Sequence, residues 1–225
     1  MNERYFDELF SEAFPFWDGL SAEDKATFVR SSQKIHFGKG FTIHDGSECT
    51  GVIIVRSGSL RAYILSEDGR EITLYRMFEG DMCVLSASCV LESITFDLFI
   101  DAEEESDCVV VGGCTYADMS ERIPAVRIFA LETAVSRFSD VMWVMQQILF
   151  MSFDKRLAIF LLDECAKNGT DTVKMTHEQI AKYMGSAREV VSRMLKYFVS
   201  EGIVTSSRSE GIMIKDKSKL RALAY

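Results

Sequence analysis

The sequence predicts an α+β protein that ends in a winged helix-turn-helix. Three patterns support this fold class. Glycines recur between Lys34 and Val111 and separate short runs rich in Val, Ile, Leu, Phe and Tyr, which is typical of β-strands. An apolar heptad repeat follows Pro124 and predicts one long helix. The segment after Phe150 then alternates between helical patterns and a hairpin pattern.

The composition is that of a globular protein, with 48% apolar and 26% charged residues among 225. Charges interrupt the apolar stretches, so none is predicted to span a bilayer. The N-terminal segment MNERYFDELF contains acids and lacks the apolar core of a secretion signal. We therefore expect a cytoplasmic protein with no membrane partner, in which the cysteines are reduced thiols. The six cysteines are Cys49, Cys83, Cys89, Cys108, Cys114 and Cys165.

Charge is distributed unevenly along the chain, whose formal net charge is −9. The segment from Asp154 to Tyr225 has 13 Lys and Arg against 9 Asp and Glu, a net of +4. Residues 1–153 have 12 against 25, a net of −13. This asymmetry indicates that the C-terminal part meets a polyanion. Acidic residues that merely cluster on solvated faces are the alternative interpretation.

Helices are predicted before the β-domain and short strands within it. Residues 3–31 have a helical pattern, with a second short helix after Ser21. The segments 51–58, 59–66 and 70–77 have strand patterns, and SEDGRE at 66–71 predicts a hairpin turn. Strands at this spacing indicate a small sandwich or barrel. The first helix has an apolar stripe through Phe6, Leu9, Phe10 and Phe14.

The long helix is predicted to form the interface of a parallel homodimer. Its apolar residues follow alternating steps of three and four, which is a heptad seam. A second apolar set beside the seam, from Phe129 to Ile148, is suited to packing on the β-domain. An ordinary buried helix is the alternative, but the length and the regular period favour a dimer. The predicted seam consists of Ile128, Leu131, Val135, Phe138, Met142, Met145 and Leu149.

The segment THEQIAKYMGSAREVVSRML, residues 176–195, has the pattern of a helix-turn-helix. Thr176 is placed to cap the first helix, with Gln179 in the capping-box position three residues later. Gly185 lies where the tight turn requires a positive φ. The segments 203–206 and 212–215 then predict a hairpin wing, with Arg208 at its tip as a phosphate contact.

The second helix of this motif, predicted over 187–198, has side chains suited to reading DNA. An arginine donates two hydrogen bonds to guanine O6 and N7, and a glutamate accepts one from the cytosine amino group. We therefore expect double-stranded DNA with an inverted-repeat operator as the partner. Helical hairpins without a DNA-binding role share the apolar spacing, but the glycine, the wing and the local positive charge favour DNA binding. Besides Arg208, the predicted DNA contacts are Thr176, Ser186, Arg188, Glu189, Ser192, Arg193 and Lys196.

Over nearly its whole length the sequence resembles the CRP/FNR family of transcription regulators, most specifically in GSAREVVSR at 185–193. The resemblance implies a cyclic-nucleotide-binding-like β-roll (a double-stranded β-helix) over 1–119 as sensor domain. It further implies a dimerisation helix over 120–150, a winged helix-turn-helix over 151–225, and RNA polymerase as a protein partner. By the same resemblance the base readers are Arg188, Glu189 and Arg193, and Thr176 contacts the DNA backbone. Ala187 departs from the family, in which serine is usual.

The sensor half departs from family members that bind cyclic nucleotides or an iron–sulfur cluster. Val84 and Leu85 stand where Gly-Glu would hold the ribose, and no arginine between Arg76 and Arg122 is present to pair with the phosphate. The first cysteine is Cys49, so the closely spaced N-terminal cysteines of cluster binders are absent. DNA binding without any ligand is the alternative to the control that we expect, which is by a small-molecule or redox signal other than a cyclic nucleotide. Its pocket is predicted to include Cys83, Val84, Leu85, Ser86, Ser88, Cys89, Val141 and Met142.

No cofactor, metal site or catalytic residue is predicted. His36 and His44 are the histidines outside the DNA-binding half, and two scattered histidines fall short of a metal site. Cys83 and Cys89 form a thiol switch in one interpretation and are buried structural residues in the other, which is the favoured one. The alternative function is a ligand-binding regulatory module that acts through protein contacts, which the basic helix-turn-helix disfavours. An enzymatic function is the third and least favoured interpretation of the sequence.

Overall fold

The computed structural model describes residues 2–46, 49–87, 96–207 and 210–225. The chain divides into two compact units. The first comprises Met1–Ile64 and Leu74–Val141, and the second comprises Leu65–Thr73 and Met142–Tyr225. In the described part of the chain, no helix has the length and apolar character needed to cross a membrane.

The first unit begins with helices that pack through aromatic rings. They are α1 (Asn2–Ala13) and α2 (Ala22–Arg30), with a 3-10 turn at Trp17–Gly19 between them. The Ser21 side chain caps α2 by accepting a hydrogen bond from Asp24 N. The predicted apolar stripe of α1 is buried, and its rings meet others edge to face, as at 5.1 Å between the centroids of Phe10 and Phe28.

Two four-stranded sheets follow. The strands are β1 (Ser32–Phe37), β2 (Thr42–His44), β3 (Val52–Ser57), β4 (Leu60–Leu65), β5 (Glu71–Met77), β6 (Met82–Cys83), β7 (Phe99–Ala102) and β8 (Ser106–Val111). Their orders in the two sheets are β1-β8-β3-β6 and β2-β7-β4-β5. Side chains alternate along β3, so Ile54 faces the aromatic helices, whereas Ile53 and Val55 face the space between the sheets. Of the two predicted architectures, a small sandwich or a barrel, the two sheets with a shared core correspond to the sandwich.

Two helices complete this part of the chain, α3 (Gly113–Arg122) and α4 (Pro124–Phe150). α3 begins at Gly113, directly after its N-cap Gly112. The extended backbone of Ile123 separates the two helices, and Pro124 occupies the first turn of α4 as predicted. One face of α4 is turned inward, where Val126 and Ala130 are buried.

The second unit is built on helices and a small sheet. The elements are α5 (Phe153–Asn168), β9 (Thr172–Val173), α6 (His177–Met184), α7 (Arg188–Ser200), β10 (Val204–Ser207), β11 (Gly211–Ile214) and α8 (Lys217–Ala224). The order of strands in the sheet is β10-β11-β9. The first helix, α5, ends at its C-cap Gly169, which lies in the left-handed region with φ +63°. The apolar sides of the helices form one core that includes Leu161, Ile180, Leu195 and Phe198.

The state of the cysteines corrects one prediction. Cys49 is disulfide-bonded, so the expectation of six reduced thiols is wrong. Cys83, Cys108, Cys114 and Cys165 are free thiols, and Cys89 lies outside the described residues. The prediction rested on the expected compartment, whereas pairing also depends on which sulfur atoms the fold brings together.

Candidate nucleic-acid interface

A reciprocal capping box fixes the start of α6. The Thr176 side chain accepts a hydrogen bond from Gln179 N at 3.1 Å, and the Gln179 side chain accepts one from Thr176 N at 2.8 Å. Two backbone donors of the first turn are thereby satisfied, as the spacing of the two residues predicted. Thr176 remains exposed at this end of the helix, where it is available to a DNA phosphate.

A glycine makes the tight turn between α6 and α7. Gly185 is in the left-handed region, φ +57°, and the Ser186 backbone N–H donates to Ala181 O at 3.0 Å. The turn glycine was predicted from the sequence and is confirmed. Ala187 is the N-cap of α7 and offers no side-chain hydrogen bond to the helix. The helix therefore begins without the side-chain cap that a serine at this position would supply.

The outward face of α7 presents the predicted readers together. Arg188, Ser192 and Lys196 are four residues apart, so they lie one turn above another on the same face. Glu189 and Arg193 form an adjacent row, and all of these except half-buried Ser192 are exposed. The opposite face is buried and fixes the rotation of the helix about its axis through Val191, Leu195 and Phe198.

The cations on the outward face of α7 are available to bind DNA. Among the described residues, none forms a salt bridge with Arg188, Arg193 or Lys196. Each can therefore meet a base edge or a phosphate without first breaking an internal pair. Ser186, in the turn, is half-buried beside this face. Arg208, the predicted wing contact, lies outside the described residues.

One polar residue at this surface, His177, was not predicted from the sequence. Its Nδ1 is 2.8 Å from the hydroxyl oxygen of Ser192 and joins the first turn of α6 to the middle of α7. Burial, followed by the positive charge of Arg188, lowers the pKa of His177 below its ordinary value. Its place directly after the helix-capping Thr176 was the available signal. The contact was not predictable from local spacing, because His177 and Ser192 are 15 positions apart in the sequence.

Comparison with known proteins decides the family. A solved transcriptional regulator of the CRP/FNR family from Eubacterium rectale is 45% identical to this chain, with a TM-score of 0.90 over 94% of this chain and 98% of that one. The chain belongs to the CRP/FNR family. The pattern of the Crp-like helix-turn-helix domain also matches residues 155–223, which contain α6 and α7.

More distant relatives of this CRP/FNR protein agree with that placement. The transcriptional activator protein anr of Pseudomonas aeruginosa is 24% identical over 191 residues, which cover 82% of this chain and 77% of anr. The c-di-GMP-responsive regulator CLP of Xanthomonas campestris has the same fold, with 17% identity, a TM-score of 0.71 and coverage of 87% and 100%. The family consists of DNA-binding transcription regulators and not of enzymes. This finding decides against the alternative of a regulatory module that acts only through protein contacts.

The structure disperses the predicted effector residues of this CRP/FNR protein. Cys83, Leu85 and Val141 share the core between the two sheets. Val84 belongs instead to the aromatic core, and the Ser86 hydroxyl donates to the Gly51 carbonyl at 2.7 Å. Met142 is 42% exposed on α4, whereas Ser88 and Cys89 lie outside the described residues.

A cation lies close to the predicted effector residues, although it comes from outside the stretch between Arg76 and Arg122. Arg137 of α4 donates to the Met82 carbonyl at 3.4 Å and lies 3.1 Å from an Asp140 carboxylate oxygen. Its Nη2 is 3.5 Å from Asp81, so two carboxylates already share its charge. The absence of an arginine between Arg76 and Arg122 therefore did not mean the absence of a cation near β6.

The two histidines considered as metal ligands are engaged in separate places. The exposed His36 ring is 2.8 Å from Asp107 and 2.9 Å from Glu105, and these hydrogen bonds, with that of Asp107 the larger, raise its pKa. Buried His44 is 2.8 Å from the hydroxyl of Thr50, and burial lowers its pKa. Over the ranges that the structure describes, no group of three His, Cys, Asp or Glu is arranged to hold a metal ion.

Proposed function

We propose that this regulator is a homodimer in which each α7 reads one half of an inverted-repeat operator. The half-sites would lie about one helical turn apart, near 34 Å, as dimeric helix-turn-helix proteins require. The observation that carries this proposal is that Arg188, Arg193 and Lys196 are exposed on one side of α7 and form no salt bridge with any described residue. Arg188 and Arg193 recognise guanines, Glu189 accepts from a cytosine, and Thr176, Ser186 and Lys196 hold the DNA backbone. Arg208 contacts a phosphate from the wing.

The exposed side of α4 supports the dimer. All seven seam residues, from Ile128 to Leu149, lie on it and are between 42% and 64% exposed, which is far more than a monomer's long helix normally leaves to water. Because the inward face of α4 is occupied by the first unit, the seam is free for the same helix of a second copy. Heptad spacing favours a parallel pairing of the two helices.

The working assignment of domains follows from these roles. Residues 1–119 form the sensor β-roll, 120–150 the dimerisation helix and 151–225 the DNA-binding domain. We place the regulator in the cytoplasm, where DNA and RNA polymerase are its partners. The sensor responds to a small-molecule or redox signal other than a cyclic nucleotide, because Asp81 and Asp140 already share the charge of Arg137. The effector pocket is proposed around Cys83, Leu85 and Val141, the members of the predicted set that share the core between the two sheets.

Selection of duplexes from random-sequence DNA, followed by binding measurements in several salt concentrations, tests the proposal. We expect an enriched inverted repeat, and a loss of about 1–3 kcal/mol of base discrimination in Arg188→Ala and in Arg193→Ala. Arg221→Ala is the matched control, since it removes an exposed cation from α8, which packs on α5. Arg208→Ala should weaken binding to all sequences alike and reduce the salt slope by about one unit. Equal losses on specific and random DNA for Arg188→Ala would make that residue a phosphate contact.

A further inference from the structure

The hydrogen bond between His177 and Ser192 lies where the DNA-facing surface meets the body of the helix-turn-helix. Ser192 is on the outward row of α7, one turn after Arg188 and one turn before Lys196. Its hydroxyl oxygen is 2.8 Å from His177 Nδ1, and both residues are half-buried. A serine hydroxyl has one proton and two lone pairs. Whether Ser192 donates to His177 or accepts from it therefore determines whether its proton is available to the DNA.

We propose that His177 is a positioning residue that sets whether Ser192 accepts or donates a hydrogen bond at the DNA. The inference rests on the proposed function, because it needs the outward row of α7 to face base edges. When Nδ1 is unprotonated, Ser192 donates its proton to the imidazole and presents lone pairs to the DNA. It then favours the amino groups of cytosine or adenine. When Nδ1 carries a proton, the imidazole donates to Ser192, and the hydroxyl proton is free for guanine O6 or N7 or thymine O4.

The surroundings of His177 favour the neutral form of its ring. Burial opposes the charged form, and the positive charge of Arg188, one turn before Ser192 on α7, opposes it further. On α6 itself, Glu178 is exposed at the adjacent position. Within the described residues, Arg188 is the charged group of α7 whose field lowers the pKa of this ring. In the neutral tautomer that carries its proton on Nε2, Nδ1 accepts the hydrogen bond from Ser192. Lowering the pH through the lowered pKa of His177 then charges the ring and reverses this hydrogen bond.

The consequence is a base preference that depends on pH at one position of each half-site. One net hydrogen bond changes an equilibrium by about two- to tenfold, which is the change in relative affinity that we expect between pH 8 and pH 5.5. The direction of the change follows from the hydrogen bond. At high pH the protein prefers the base pair that presents an amino group to Ser192, and at low pH it prefers the base pair that presents an acceptor atom there. A general attraction of charged His177 to phosphates would instead strengthen binding to all sequences alike.

The test uses the full chain and a duplex selected from random-sequence DNA at pH 8, with each half-site position replaced in turn by the other base pairs. Relative affinities are measured at pH 8 and pH 5.5 for the wild type, Ser192→Ala, and His177→Phe, which keeps a ring but removes the hydrogen bond. We expect the base-specific pH effect in the wild type alone, with similar melting temperatures in all three proteins at pH 8.

Two outcomes would overturn the proposal. One is a wild-type base preference that does not change with pH, and the other is a pH-dependent preference that persists in Ser192→Ala. If His177→Phe lowers the melting temperature, the comparison of the wild type with Ser192→Ala still decides, because both keep the ring. A wild type without any sequence-specific binding would contradict the proposed function as well, whereas specific binding with a pH-invariant preference would contradict only the role of His177.

Discussion

The guanidinium carbon of Arg137 lies 5.0 Å from the ring centroid of Tyr75, which places a helix α4 cation against the face of a β5 aromatic ring. The Tyr75 hydroxyl is in turn 3.6 Å from the sulfur of Cys83, and burial raises the pKa of this tyrosine well above its ordinary value. Arg137, Tyr75 and Cys83 thus form a connected polar group between α4 and the sheets. It includes Cys83, one of the residues predicted to line the effector pocket.

We predict that cyclic AMP and cyclic GMP do not bind at millimolar concentration. A buried cyclic phosphate requires a cation, and Asp81 and Asp140 already share the charge of Arg137, so binding would break two ion pairs. Titration calorimetry should show only the heat of dilution. A micromolar dissociation constant that is lost in Arg137→Gln would contradict the prediction and make Arg137 the partner of the phosphate.

We predict that Phe138→Asp together with Met142→Asp converts the dimer into monomers. The two changes place charges on an apolar seam, and each buried Phe or Met side chain of an interface is worth about 2–5 kcal/mol. Sedimentation velocity at micromolar concentration measures the effect. Ser136→Asp with Ser139→Asp is the matched control, since it adds the same charge to exposed positions of α4 beside the seam and should leave dimers. A monomeric wild type would show that the seam has another role.

We predict that Gly185→Ala destabilises the fold more than Gly169→Ala. Both glycines end helices in the left-handed region, where a side chain costs about 1 kcal/mol or more. A Cβ at Gly169 would meet no atom within 4 Å, whereas one at Gly185 would lie 3.0 Å from the side chain of Ile72. Urea unfolding compares the two variants, and Gly185→Ala should also weaken operator binding because it disturbs the turn before α7. Equal losses of stability would mean that Ile72 moves aside freely.

We predict that the disulfide of Cys49 contributes to thermal stability. Native disulfides typically stabilise by a few kcal/mol, so Cys49→Ser and reduction of the wild type should both lower the melting temperature by several degrees. Cys114→Ser is the control, because this free thiol is exposed and its removal should have no effect. Melting curves with and without reductant measure both changes. If reductant destabilises Cys49→Ser as much as the wild type, the effect does not come from this bond.

Features of the helix-turn-helix that depend on neighbours in sequence were predictable. The capping box joins Thr176 to Gln179 within one turn, and the left-handed turn requires a glycine at 185, so residue type and spacing suffice. The outward row of α7 follows from helical periodicity once the apolar face is known. For the same reason the exposed seam of α4 could be located from its heptads. The helix α3 before the dimerisation helix was not predicted as a separate element, because capping and packing decide where a helix begins and ends.

By itself, the sequence determined the fold class, the order of the elements and the face of α7 that carries the readers, since local periodicity and capping encode these. Only the tertiary structure decided which distant side chains meet. It paired His177 with Ser192 across the turn, placed Arg137 against Tyr75, and put Cys49 in a disulfide. These contacts join residues on different elements, and their distances depend on how helices and sheets pack. No spacing along the chain specifies that packing.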